Sequence, residues 1–204
     1  MFSEVGHLLH TLMKEEGRNY RGLGNVTKDD ITYIVSLDIS KQRLVLIDCT
    51  IESATFGTIC KRIDITPIRC LEDSKTKCRF LTVLPSKEEV LVTSLMLNKI
   101  YAINLRTETI QTLGPFWNPN EKDPEKCFDI KEPSGIAVDP TNGMIFVAST
   151  QKRSVEVLAP NFIYIGSLVS DPKINPLDMI IEGRQLFVAN AEKKCITQIP
   201  LTSE

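Results

Sequence analysis

The residues of this chain that could do chemistry are few, and most of them are cations lying near rings. The only two histidines, His7 and His10, form an H-x-x-H pattern. In a strand, successive side chains face opposite sides, so this spacing turns the two imidazoles apart and argues against a shared metal. Polar surface histidines are the expected reading. Asp178 and Asn190 carry hard oxygen donors of the kind calcium takes, but both stand near turns between short strands, where turn-forming roles are the simpler account. No G-x-S-x-G, phosphate loop or Cys-His pairing occurs. No catalytic residue, metal-ligand set or cofactor is therefore expected. What recurs is positive charge: Lys99, Lys152 with Arg153, and Lys193 with Lys194, joined by Arg18, Tyr20 and Arg21 near the start and by Phe116 and Trp117 in a long irregular segment. Cations supply contacts for phosphates and flat rings supply platforms for bases, so this combination could bind single-stranded RNA.

The totals narrow the setting. With 204 residues, 42% hydrophobic and 25% charged, the chain can bury a core without staples. A formal net charge of -2 gives no whole-molecule attraction to DNA or to an anionic membrane. No apolar run approaches the roughly 18 residues of a spanning helix, and the first residues lack the charged leader of a signal peptide. A soluble, cytoplasmic protein with no membrane and no DNA partner is expected. The six cysteines include no C-x-x-C pair, and free, mostly buried thiols are the expected state.

Short strands position these residues. From Pro133 to Leu168 four of them are legible, each rich in β-branched or aromatic residues, at 135–139, 144–148, 154–158 and 162–168. Asp139-Pro140-Thr141-Asn142-Gly143, Gln151-Lys152-Arg153 and Pro160-Asn161 separate them as turns. The same unit reads over 79–114 as RFLTVLP, EEVLVTSL, KIYAINL and ETIQTLG. It reads again over 174–201, where it stops after three strands. A blurred copy covers 31–68, opening with ITYIVSLDI and RLVLID and ending in two irregular strands. Residues 14–30, polar and glycine-rich, read as a surface connection, and residues 1–13 as a lone outer strand. Units of four strands recurring at about forty residues indicate a β-propeller, whose blades must stack to bury their faces. The expected fold is all-β: one propeller domain over 1–204 with about four visible blades. A sandwich would leave the repeat unexplained.

Within this pattern the residues Pro133-Ser134-Gly135-Ile136-Ala137-Val138-Asp139, then Gly143-Met144-Ile145-Phe146-Val147-Ala148-Ser149, then Lys152-Arg153-Ser154-Val155-Glu156-Val157-Leu158 resemble the NHL repeat. Phe2 to Leu12 is similar to the outer hairpin of such a blade. Ser149 departs from the family's usual acidic residue, and Leu177-Asp178 from its glycine at the blade start. The family's propellers usually have about six blades, so the resemblance implies either a part of a longer propeller or a four-bladed ring closed by the N-terminal strand, the first being preferred.

The resemblance also implies function. Loops joining second to third strands, and those joining blades, share one face of such a propeller, which gathers Arg18, Tyr20, Arg21, Lys99, Phe116, Trp117, Lys152, Arg153, Lys193 and Lys194. Non-enzymatic protein binding is the leading expectation, as the recruiting end of a larger protein like the tripartite-motif ubiquitin ligases. Single-stranded RNA binding is the alternative, weakened by the acidic Glu15, Glu16, Asp29 and Asp30. A divalent-metal hydrolase similar to the SMP-30 lactonases is the third. There the proline-following metal aspartate of the family is replaced by Ser134 and Leu177.

Overall fold

The computed structural model describes residues 20–50, 52–68, 78–116 and 128–201. They form fifteen β-strands and one short 3-10 turn at Pro85–Lys87. Residues 1–13, with His7 and His10, lie outside the described residues, as do Arg18, Trp117, Cys70 and Cys127. Two compact units divide the chain, Met1–Thr66 and Pro67–Glu204. Among the described residues no helix is long and apolar enough to cross a membrane.

The first unit holds one antiparallel sheet in the order β1 (Tyr20–Lys28), β2 (Ile31–Asp38), β3 (Arg43–Asp48), β4 (Ile59–Asp64). Its first strand corrects the reading of 14–30 as a surface connection. Only Val26 of that strand is buried, and Leu23 is 76% exposed. An edge strand that buries one residue carries no alternating signal, and Gly22, at positive φ where the register slips, reads as a turn former. The two irregular strands expected after Asp48 are one strand, β4. The residues before it form turns pinned to the buried Asp48 carboxylate, which accepts from the Ser53 hydroxyl, from Thr55 Oγ1 at 2.6 Å and from the Thr50 amide at 2.8 Å. Those donors, Ser53 first, pull its pKa down to about 2.

The second unit follows the sequence pattern closely. Its first sheet is β5 (Cys78–Leu84), β6 (Glu89–Ser94), β7 (Lys99–Asn104) and β8 (Ile110–Leu113); its second is β9 (Pro133–Val138), β10 (Ile145–Ser149), β11 (Ser154–Leu158) and β12 (Tyr164–Ser170). Its third, β13 (Pro176–Glu182), β14 (Gln185–Asn190) and β15 (Cys195–Pro200), has three strands among the described residues. Each sheet is an antiparallel meander, and we call the four sheets the first to fourth blades.

Blade stacking makes the core. Leu91, Ile100 and Ala102 of the second blade pack on Ile136, Ile145, Val147, Leu158 and Tyr164 of the third. The opposite side of the third, Ala137, Phe146, Ala148, Val155 and Val157, packs on Met179, Leu186 and Val188 of the fourth. Strands β9, β10 and β11 are buried on both faces, which explains why they read as continuous apolar runs. Hydrogen bonds stitch neighbouring blades together: Thr93 Oγ1 of β6 donates to the Ser134 carbonyl of β9 at 2.6 Å, and Ser134 Oγ to the Pro176 carbonyl of β13 at 3.0 Å. Gly135 is required at this seam, since a Cβ there would lie 2.5 Å from Asp178 Cα.

Candidate functional site

The loops between second and third strands are built alike in all four blades. Each has four residues and ends on a non-glycine at positive φ: Gln42 (51°), Asn98 (52°), Arg153 (54°) and Lys194 (52°). The residue before each loop is buried and polar: Asp38, Ser94, Ser149 and Asn190. Asp38 Oδ1 accepts from Ser40 Oγ at 2.6 Å and from the Lys41 amide at 3.2 Å. Asn190 Oδ1 accepts from the amides of Asn175 (3.0 Å), Glu192 (3.1 Å) and Lys193 (3.4 Å). Ser149 Oγ reaches instead to the Lys131 carbonyl at 2.6 Å. Asx residues cap their own loop because the side-chain oxygen reaches amides two and three residues on; serine is too short for this, and Ser149 ties to the Lys131 carbonyl while the buried Ser94 hydroxyl makes no hydrogen bond among the described residues.

In the second unit these loops lie beside blade lead-in segments, their own or the next blade's, and are bonded to them. The Glu132 amide donates to Asn98 Oδ1 at 2.6 Å, and Thr150 Oγ1 to the Glu132 carboxylate at 3.0 Å. Arg153 donates to the Pro172 carbonyl and lies 3.4 Å from Glu192, so it ties the third blade to the fourth. The Lys152 amine sits over the Phe128 ring, 3.5 Å from its centroid, and Phe128 stacks on Tyr164 at 3.6 Å. Burial pushes the Lys152 pKa down, opposed by the Glu156 and Asp129 carboxylates. Beneath it Glu156, 1% exposed, accepts from Ser154 (2.5 Å), Tyr164 (2.9 Å) and Ser167 (2.6 Å). Burial, then Glu156, push the Tyr164 phenol up to about 12.

The expected face is thus sorted. Lys99 opens β7 directly after its loop, and Lys152, Arg153, Lys193 and Lys194 lie in the equivalent loops of the same unit, with Lys193 and Lys194 exposed and Lys152 and Arg153 held by neighbours. Tyr20 and Arg21 open β1 in the other unit. Phe116, expected on the face, is only 5% exposed: its backbone pairs with Phe128 through two 2.7 Å bonds and its ring joins the core between the second and third blades. What the sequence reading missed is apolar. Met96 (55% exposed) and Leu97 (41%) occupy the loop before Lys99. Leu177 (43%) lines a hollow of about 350 Å³ with Ala191, Lys194 and Ile196. The signal was available: two large aliphatics in a turn that should be polar.

Nothing here forms a metal centre among the described residues, where no three His, Cys, Asp or Glu side chains converge. Asn190 is engaged by its loop. Asp178 Oδ1 accepts from the Met179 amide at 2.9 Å, and burial raises the pKa of its carboxyl. The thiols of Cys60 and Cys195 are exposed and that of Cys49 is half-buried, against the expectation of buried cysteines.

No family model and no curated protein sequence matches the chain. Solved structures do. A streptogramin B lyase is similar over 93% of this chain and 57% of its own length, at 12% identity and a TM-score of 0.54. A catalytically inactive virginiamycin B lyase from Staphylococcus aureus with quinupristin matches over 93% and 59%, at 15% identity and a TM-score of 0.54. The computationally designed Ika4 protein matches over 97% and 99%, at 8% identity and a TM-score of 0.53. The chain spans less than two thirds of the length of the lyases. At these identities the likeness establishes the fold, an all-β propeller type of four-stranded antiparallel blades.

Proposed function

We propose that the second unit recognises a protein partner through the loops between the second and third strands of its blades. The observation that carries this reading is the exposure of Met96 and Leu97 in the loop just before Lys99 and of Leu177 in the hollow it shares with Lys194. Exposed aliphatics rimmed by charges characterise protein interfaces. The loops are already tied to one another, so binding orders few side chains and loses little entropy. The partner surface is apolar with acidic flanks. The resemblance to the NHL repeat agrees with this role, and a cytoplasmic protein and membership of that family are part of the same reading.

Recognition of single-stranded RNA needs rings that bases can reach. Phe116 is enclosed, and Phe128 lies between Tyr164 and the Lys152 amine. The two rings argued for the loop face of the second unit are thus unavailable to bases, which favours the protein reading. The likeness to lyases supplies no catalytic group to test. The deciding experiment captures partners with the chain and with a Met96→Glu, Leu97→Glu variant of unchanged melting temperature. Loss of the captured proteins is expected. The same partners on both chains, or tight binding of random single-stranded RNA at physiological salt, would overturn the reading.

A further inference from the structure

The turn that joins β9 to β10 holds the one Asn-Gly pair of the sequence, Asn142-Gly143. Asn142 is exposed. Its Oδ1 accepts from the Met144 amide at 2.9 Å, and its Nδ2 has no partner among the described residues. Gly143 follows at a φ of 73° and carries no side chain to shield its nitrogen. These groups can react with one another: the Gly143 nitrogen is the nucleophile, Asn142 Cγ the electrophile and ammonia the leaving group. During such an attack negative charge develops on Oδ1. The Met144 N–H already points there, as a donor in an oxyanion hole does.

The other described asparagines lack this combination. They precede Val26, Lys99, Leu105, Phe162, Pro176 and Ala191. A side chain on the following residue crowds the nitrogen that must attack, and proline has no N–H to give up. Asn190, before the smallest of these residues, is 3% exposed, and the Ala191 N–H donates to the Asn175 carbonyl at 2.9 Å. One bond opposes the reaction at Asn142, where the Gly143 N–H donates to the Asp139 carbonyl at 2.8 Å. It sits in an exposed turn and opens with the local fluctuations of that turn.

We propose that Asn142 is a site of self-modification, at which the side-chain amide converts to aspartate and isoaspartate through a cyclic imide formed with Gly143. The Gly143 nitrogen loses its proton to hydroxide and bonds to Asn142 Cγ. The Cγ–Nδ2 bond then breaks, and ammonia leaves with a proton taken from water, which restores the hydroxide. Water opens the imide, at Cγ to give aspartate or at the Asn142 carbonyl carbon to give isoaspartate. Either product adds one negative charge to a chain of formal net charge -2. Isoaspartate also routes the backbone through Cβ. That lengthens a turn in which the Asp139 amide donates to the Met144 carbonyl at 2.8 Å and Val138 pairs with Ile145. The conversion needs no partner, so it stands or falls apart from the loops of Met96 and Leu97.

The test incubates the full chain, well below its melting temperature, in mildly alkaline buffer beside a synthetic peptide of sequence DPTNGMIF, and follows both by peptide mapping and mass spectrometry. Asn142 should convert at least tenfold faster than any other asparagine of the chain, at a rate that rises in proportion to hydroxide. Asn142→Gln, whose longer side chain closes a larger ring slowly, should remove the acidic species from an ion-exchange profile without lowering the melting temperature. The isoaspartate form, once separated, should melt below the parent. Asn142 still intact when the free peptide has fully converted would overturn the proposal, because the bond from Gly143 to Asp139 would then lock the turn. So would equal conversion at Asn98 or Asn161. An isoaspartate form that melts with the parent would overturn the effect on the turn.

Discussion

The two joints of the second unit use the same strands in the same order and end in opposite ways. Between the second and third blades the core runs outward without a break. Leu113, Phe116 and Tyr164 extend it, and the Tyr164 hydroxyl is secured on the buried Glu156. Between the third and fourth blades the inner part is just as tight, with Gly135 against the β13 backbone, but the outer part opens into a cavity. At the first joint the fourth strand of the third blade supplies Tyr164 to the seal; at the second, the described residues leave the outer part open.

Substitutions can break or sharpen this comparison. Tyr164→Ala should cost most, about 3–5 kcal/mol, because a buried ring leaves a sealed space and Glu156 loses a donor. Phe146→Ala, at the open joint, should cost roughly half as much, since water already reaches the cavity beside it. Equal losses in denaturant unfolding would mean that the second joint is sealed in solution. Gly135→Ala should come next at about 2 kcal/mol, because a Cβ there meets backbone that cannot move aside; an unchanged unfolding midpoint would show the seam to be loose.

Acidity should act on the same seam. Partial desolvation of the carboxyl of Asp178, a residue exposed at the surface, raises its pKa above the unfolded value, so its effect on stability is small. Its contribution to stability is therefore fully present below the ordinary carboxylate range, near pH 4, and is lost as pH rises through the raised folded value. Asp178→Asn should flatten that part of a melting-temperature profile, and a profile identical to the parent would remove Asp178 as its cause. The smallest effect is expected in the loops. Lys194→Gly should stabilise by about 0.5–1 kcal/mol by relieving a left-handed backbone. Arg153→Gly should gain nothing, because it also loses the Pro172 and Glu192 contacts. Equal gains from both would show that those contacts are idle.

Much of this was legible in the chain itself. Strands β6, β7, β9, β10 and β11 follow the apolar runs because they are buried against neighbouring blades, and burial leaves a pattern in composition; the largely exposed β8, β12 and β15 were placed by the turn residues and the repeat. Strand β1 was not legible, since an edge strand that buries little selects its residues weakly. The loop cations were found because they recur at one place in the repeat. Phe116 was misplaced because an aromatic in an irregular segment reads the same whether its ring turns outward or inward.

The sequence by itself therefore determined the class, the repeat and the position of the turns, all of which depend on residues close along the chain. Which loop residues remain exposed, which cations are already held by Phe128 or Glu192, and where a joint stays open depend on residues dozens of positions apart meeting across blades. Those meetings depend on how side chains fill the space between neighbouring sheets, and only the tertiary structure decides that.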